Sequence, residues 1–319
     1  MRISVAICTL DRALSLRRTL GSLAECVPPR GEKWEVVVVD NGSTDGTSSV
    51  LEEFATSLPI RRIFEGTRGL SIARNAAVNA VRGEYLLWTD DDCVLDRNWL
   101  VAYASAIARW PNAAIFGGPI VVRFEGNPPV WLTRISSRIG AAYAAHDLGP
   151  EPVALSVEAN RLPFGANYVV RTKEQRRVLY DARLGRGTAL PMRIGEESEV
   201  LRDLLRTAEG RWVPDAIVTH CIPPERQTLR YLRHHFAADG AYEEWRRQSP
   251  NGEAYAIDNP SRLRLLRRIL RSEIRYQLLR RISGPEAWIE ELIAGSVARG
   301  RAAARGFLEG DATARNGKS

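Results

Sequence analysis

Glu35 is followed by four consecutive valines, Val36 to Val39. A strand with one face in water alternates apolar and polar residues. An unbroken β-branched run instead suits a strand covered on both faces. Sheets buried in this way are mostly parallel, and parallel strands need long, usually helical, crossovers. The neighbouring sequence supplies both. Arg2 to Cys8 reads as a strand, and Arg12 to Leu23 as a helix whose apolar face is Leu14, Leu16, Leu20 and Leu23. After the valines, Ser43-Thr44-Asp45 offers helix-capping side chains before a helical stretch to about Leu58. Ile60 to Phe64 reads as a strand, Gly69 to Val81 as a helix of small residues, Tyr85 to Trp88 as a strand and Arg97 to Arg109 as a helix. The β-α-β-α order predicts an α/β fold, a mostly parallel sheet with helices on both faces.

In open sheets of this kind ligands bind at the carboxyl ends of the strands. Polar residues fall at those ends here: Thr9 and Asp11, Asp40-Asn41-Gly42, and Asp90-Asp91-Asp92. Three adjacent carboxylates repel one another, so the last group costs stability unless a cation offsets it. Carboxylate oxygens suit Mg²⁺ or Mn²⁺, which bridge protein to diphosphate. A solvated acidic turn capping the next helix is the plainer reading of the cluster alone, and convergence with the other strand ends favours the metal. Asp40 reads either as part of a turn and cap or as an acceptor for a nucleotide base or ribose. Arg74 reads as a surface arginine or a phosphate contact. Neither of the first two strands is followed by G-x-G-x-x-G, which argues against a dehydrogenase.

Further along, residues 123–161 look irregular, with Pro128, Pro129, Trp131 and Tyr143. A helix beyond Leu184-Gly185 carries Glu196, Glu197 and Glu199 in its first turn, where the helix dipole favours acids. One of these carboxylates could instead act as a general base. A strand from Trp212 to Thr219 is expected to end in His220, a residue that fills space, stabilises a leaving phosphate or ligates a metal. From about Leu229 the chain reads as mainly helical, ending in a polar, frayed stretch from Asp311 to Ser319.

The motifs, in this order, resemble the family 2 glycosyltransferases of GT-A fold. The resembling segments are Val5-Ala6-Ile7-Cys8-Thr9 with Asp11-Arg12, Val39 to Asp45, Gly69-Leu70-Ser71 with Ala73-Arg74-Asn75, Thr89 to Asp92, Pro163 to Asn167, Leu184-Gly185, Gly195-Glu196-Glu197 and His220. The resemblance implies a GT-A type, nucleotide-sugar-binding mixed sheet, mostly parallel and flanked by helices, with a helical C-terminal extension. It implies a catalytic domain over 1–228 and a mainly helical region over 229–319, associated with membrane or acceptor. Thr9, Asp11, Asp40 and Arg74 would line the nucleotide pocket, with Asp90 and Asp91 on the donor side. Asp92 and His220 would hold Mn²⁺ or Mg²⁺, and Arg226 would clamp the diphosphate. Inverting members usually carry their base in a Glu-Asp pair. Here the pair is Glu196-Glu197, which places Glu197 in the base position and leaves Glu196 as the alternative. The implied donor is a UDP-, dTDP- or GDP-sugar, and the acceptor a sugar, a lipid-linked molecule or a small metabolite.

Charge and targeting signals complete the reading. The formal charge is +7, and Ser261 to Ile282 concentrates arginine with leucine at helical spacing. That is the pattern of a membrane-surface helix, and equally of a helix docked on its own domain. An anionic membrane is therefore a further expected partner, and nucleic acid is not, because the acidic rim repels phosphate. No apolar run approaches the roughly 20 residues of a spanning helix, and Met1-Arg2-Ile3-Ser4-Val5 has no secretory pattern. The expected location is the cytoplasm, including the inner face of the cell membrane. Cys8, Cys26, Cys93 and Cys221 show no CxxC or zinc spacing and are expected to be reduced. Two competing functions remain in view. A nucleotidyltransferase would need a glycine- and basic-rich phosphate loop that Thr9 to Leu14 does not provide, and a non-catalytic binding protein has only net charge behind it.

Overall fold

The computed structural model describes residues 2–29, 31, 33–187, 194–249 and 260–316. Two compact units interleave in sequence. The first comprises Met1–Arg123, Tyr143–Ala182 and Glu196–Ile222, and the second Phe124–Ala142, Arg183–Gly195 and Pro223–Ser319. The helical unit thus takes in two segments upstream of residue 229.

The first unit is built on strands β1 (Arg2–Thr9), β2 (Lys33–Asp40), β3 (Ile60–Phe64) and β4 (Tyr85–Trp88). All their mutual pairings are parallel, and the register sets Thr9 beside Asp40. The valine run shows why the strand is unbroken. Val36 and Val38 pack with Leu16, Leu20 and Leu23 of helix α1 (Ala13–Ala24) on one face. Val37 and Val39 pack with Ala73, Ala77 and Val78 of α3 (Leu70–Ala80) on the other. Leu14 does not share that face as expected and is 81% exposed. It precedes Leu16 by two residues, which at 100° per residue turns it away.

Beyond β4 the sheet changes direction. Strand β8 (Tyr168–Arg171) runs antiparallel to β4 and to β6 (Ile115–Gly117), and β9 (Gly210–Trp212) closes the edge, giving the order β3-β2-β1-β4-β8-β6-β9. A second sheet holds β5 (Cys93–Leu95), β10 (Val218–Ile222) and β7 (Ile120–Phe124). The single strand expected from Trp212 to Thr219 is therefore two strands in two sheets. Pro214, which has no N–H for a ladder, lies between them, and His220 sits within β10. Helix α2 (Thr47–Phe54) is shorter than expected and has Gly46 at its N-cap. Asp45 still caps its start, accepting from Thr47 N at 3.1 Å, while its other oxygen accepts from Ala13 N at 2.9 Å and ties down the start of α1. Helices α4 (Trp99–Arg109), α6 (Thr172–Gln175) and α7 (Glu196–Leu205) complete this unit. All four cysteines are free thiols.

The second unit is helical: α5 (Val130–Ile135), α8 (Leu229–Gln248), α9 (Arg262–Ile282) and α10 (Pro285–Asn316). The expected irregular stretch thus contains α5 and a 3₁₀ turn at Gly140–Tyr143, and α10 continues through the tail expected to fray, as far as Asn316. Helices α8 and α10 meet through glycine. A Cβ on Gly240 would collide with the carbonyl of Val297, and one on Gly300 with that of Ala237. Glu244 is fully buried and receives Arg247 at 2.6 Å, Arg305 at 2.9 Å and Arg301 at 3.5 Å. Among the described residues no helix is long and apolar enough to cross a membrane.

Candidate active site

The parallel strands end together, and the side chains at those ends form three linked groups. The first joins Thr9, Asp91, Arg12, Asp92 and His220. Arg12 lies just past β1, and its guanidinium spans two carboxylates, with Nη1 at 2.6 Å from Asp91 and Nη2 at 2.7 Å from Asp92. The Thr9 hydroxyl donates to the other Asp91 oxygen at 2.7 Å. Both Asp91 oxygens are thus engaged. Burial pushes this carboxyl up to about 7 against the opposing charge of Arg12. The repulsion among three aspartates is therefore offset by a guanidinium of the chain itself. Sequence reasoning missed Arg12, although it stands in the motif that follows β1.

His220 reaches the same group from β10. Its register partner is Cys93, next to Asp92, and the backbone N–H of Cys221 donates to the carbonyl of Asp92 at 2.9 Å. His220 Nε2 then lies 3.2 Å from Asp92 Oδ2, and Nδ1 faces the carbonyl of Tyr143 at 2.7 Å. A carbonyl only accepts, so Nδ1 carries hydrogen. Burial alone would lower the imidazole's affinity for protons, but the adjacent Asp92 carboxylate raises it above the usual histidine value.

The second group surrounds Arg74. The small residues of α3 let this arginine bury at 3% exposure, and its guanidinium lies 5.7 Å from the ring of Trp88 and 5.5 Å from that of Tyr180. Asp90 lies 3.5 Å from Nη2, and Glu196 and Glu197 lie 3.3 and 3.8 Å from Nη1. The two glutamates differ. Glu196 is buried, and burial, then the charge of Glu197, lifts it to about 8 despite Arg74. Burial therefore favours its protonated form. Glu197 keeps 21% of its side chain exposed. Gly165 lies against both groups: a Cβ there would fall 3.1 Å from Arg74 Nη2 and 3.4 Å from the Glu197 carboxyl carbon.

The third group fixes two loops. Asp11, at φ 51°, accepts from Thr44 N at 2.7 Å while its own N–H donates to Ser43 Oγ at 3.0 Å. Asp40 is 1% exposed and accepts from Ser43 N at 2.8 Å and from Arg62 at 2.6 Å. Arg62 was another residue that sequence reasoning did not find. Arg226 belongs to the second unit, in a 3₁₀ turn at Pro224–Arg226.

Among the described residues no three His, Cys, Asp or Glu side chains gather to hold a cation. Asp92 and His220 have the spacing of a ligand pair, but the Asp92 oxygen facing His220 also accepts from Arg12 Nη2, which a cation there would displace. Two ligands at right angles, each about 2.1 Å from a metal, stand about 3 Å apart, close to the observed 3.2 Å. With hydrogen fixed on Nδ1, Nε2 is the nitrogen that would ligate. Mg²⁺ and Mn²⁺ sites of this kind complete their shells with water and substrate phosphate.

The mixed, mostly parallel sheet flanked by helices is a GT-A type fold. The family model of glycosyl transferase family 2 matches residues 4–164, half of the chain, and the chain belongs to that family. It is 35% identical over 121 residues to the uncharacterized glycosyltransferase YfnE of Bacillus subtilis. The match covers 37% of this chain and only 30% of that relative. Two solved structures share the fold. The crystal structure of S. aureus TarS 1-349 has a TM-score of 0.55 at 15% identity and covers 97% of this chain and 92% of its own. Mannosyltransferase PcManGT from Pyrobaculum calidifontis, in complex with GDP-Man and Mn²⁺, has a TM-score of 0.55 at 19% identity and covers 98% and 79%.

Proposed function

We propose that the chain transfers a sugar from a nucleoside-diphosphate donor to an acceptor hydroxyl, with inversion at the anomeric carbon. The observation that carries this reading is the pairing of two unlike glutamates at Arg74. Glu196 is buried, while Glu197 keeps 21% of its side chain exposed and is the carboxylate that an acceptor hydroxyl can reach.

In this reading the catalytic domain lies within residues 1–228. Thr9, Asp11 and Asp40 shape the nucleotide end, and a base reaching Asp40 competes with Arg62. Asp90, with its side chain 39% exposed, faces the donor. Asp91 braces Arg12, and Arg226 is assigned to the diphosphate. A Mn²⁺ or Mg²⁺ held by Asp92 and His220 would neutralise charge on the departing diphosphate. Glu197 removes the hydroxyl proton as the acceptor oxygen bonds to the anomeric carbon. The bond from that carbon to the diphosphate oxygen breaks, and its electron pair leaves with the nucleoside diphosphate. Arg74, 3.8 Å from Glu197, orients that carboxylate. Donors named in the structural relatives, UDP-GlcNAc with TarS and GDP-Man with PcManGT, support a nucleotide sugar as substrate. The acceptor is a sugar, a lipid-linked molecule or a small metabolite.

The test is transfer and donor hydrolysis across UDP-, dTDP- and GDP-sugars, with Mn²⁺, with Mg²⁺ and with chelator, and product configuration read by NMR. Cation-dependent turnover of one donor class with inversion, lost in His220→Ala, is the expected result. Retention of configuration, or full turnover in chelator, would overturn the assignment.

A further inference from the structure

Helix α9 has two apolar faces, and among the described residues only one is buried. Inward, Leu265, Ser272 and Tyr276 are buried, and Tyr276 meets the Trp288 ring edge-on at 5.7 Å. Glu273 anchors the same side, receiving Arg233 at 2.9 Å and Arg299 at 2.7 Å. Outward, Leu263, Leu266, Leu270, Ile274, Leu278 and Ile282 are between 52% and 79% exposed. At 1.5 Å per residue this stripe runs about 28 Å along the helix. Isolated exposed leucines need no explanation, but a continuous stripe marks an interaction surface.

Charge identifies the occupant. The helix has eight arginines against one glutamate, so it carries a net +7, equal to the formal excess of the whole chain. All eight arginines are exposed, and Arg264, Arg267, Arg271 and Arg275 flank the leucines. Arg275 also pairs with Glu291 of α10 at 2.8 Å. A second copy of α9 would set +7 against +7 along the stripe. A polyphosphate chain would pair with the arginines and leave the leucines in water. An anionic bilayer meets both demands. Leucines enter the acyl boundary while guanidinium groups stay at the phosphates on their flexible stems.

We propose that the outward face of α9 is a docking surface for an anionic lipid bilayer, on which the helix lies flat without crossing. This inference stands independently of the transferase reading. Each arginine near an anionic surface is worth about fivefold in partitioning. The test is flotation of the full chain with phosphatidylcholine vesicles containing about 30% phosphatidylglycerol and with phosphatidylcholine alone, at low and high salt. Binding to the anionic vesicles alone, weakened by salt, is expected. Arg267→Glu/Arg271→Glu and, separately, Leu266→Glu/Leu270→Glu/Ile274→Glu should each reduce it at least tenfold with an unchanged melting temperature. No flotation with anionic vesicles at low salt would overturn the proposal. So would equal flotation with neutral vesicles, or a dimer in solution that the leucine variants abolish. Transfer to a soluble acceptor, measured on the same preparations, reports separately on the catalytic reading.

Discussion

Asn167 closes the Pro163-Phe164-Gly165-Ala166-Asn167 motif, and all of its polar side-chain capacity is spent inside the first unit. Its Oδ1 accepts from Trp99 Nε1 at 2.9 Å and from the Tyr103 hydroxyl at 2.8 Å. Its Nδ2 donates to the carbonyls of Pro119 at 2.9 Å and Ala216 at 2.6 Å. The residue is completely buried. Asn167→Ala would remove four buried hydrogen bonds. Trp99 Nε1 and the Ala216 carbonyl lose this partner outright, while the Pro119 carbonyl keeps Val218 N at 3.0 Å and the Tyr103 hydroxyl keeps the backbone carbonyl of residue 167 at 3.4 Å. At about 1–2 kcal/mol for each orphaned group the loss is about 2–4 kcal/mol, a large share of the roughly 5–15 kcal/mol that holds a domain together. The melting temperature should fall by about 5–15 °C. Tyr103→Phe removes one donor and should cost about 1 kcal/mol. Asn167→Asp keeps the acceptor for Trp99 and Tyr103 but points a second oxygen at two carbonyls. Only its protonated form fits, so its deficit should grow as pH rises. Thermal and urea unfolding of the three variants are the assay. An Asn167→Ala protein melting within about 2 °C of the parent would refute the reasoning. The same residue holds the turn that positions Gly165, because Asn167 N donates to the Phe164 carbonyl at 3.0 Å. Surviving folded protein should therefore also be impaired in transfer.

Further expectations concern the glutamates, Gly165 and the helical unit. Glu197→Gln should lower turnover by about 10²–10⁴-fold while sparing donor binding. Glu196→Gln, which mimics the protonated carboxyl, should lose less than about tenfold. The raised affinity of Glu196 means that the folded chain keeps a proton that the unfolded chain releases above about 4.5. Its contribution to stability therefore falls between that value and about 8, and the melting temperature of Glu196→Gln relative to the parent should rise from pH 5 to pH 8. Gly165→Ala should cost about tenfold or more in transfer by displacing Arg74 and Glu197, with little change in melting temperature. For Glu244, burial opposes ionisation, but hydrogen bonds from Arg247, Arg305 and Gln248 outweigh it and bring the carboxyl down to about 2. Stability from this group is complete above its unfolded value and is lost as pH falls from about 4.5 to about 2, by up to about 3 kcal/mol. Glu244→Gln should remove that part of the acid sensitivity in calorimetry.

The parallel half of the sheet was legible because each strand is a long apolar run ended by polar residues, as Val36 to Asp40 shows. The antiparallel half was not. β6 has three residues and β5 three, too few for a period, and their partners lie far along the chain. Thr9, Asp91, Asp92 and His220 were each identified, but Arg12 as the link between them was not, because its role depends on a contact 79 residues away. The sequence also made α9 look like one apolar stripe. Its second face appears only once Leu265 and Tyr276 turn inward and leave the leucines outside.

If Asp92 and His220 hold a cation as proposed, the pairing of β10 with β5 makes loop length a determinant of ion preference. His220 stands opposite Cys93 because the stretch between Trp212 and Val218 has its present length and Val218 N donates to the Pro119 carbonyl at 3.0 Å. A one-residue slip would bring Thr219 or Cys221 to that position. With Thr219 the place beside Asp92 would offer a hydroxyl suited to hard cations, and with Cys221 a thiol suited to soft ones. In that reading selectivity would change by insertion or deletion in the turn between Trp212 and Val218, with no substitution at Asp92 or His220.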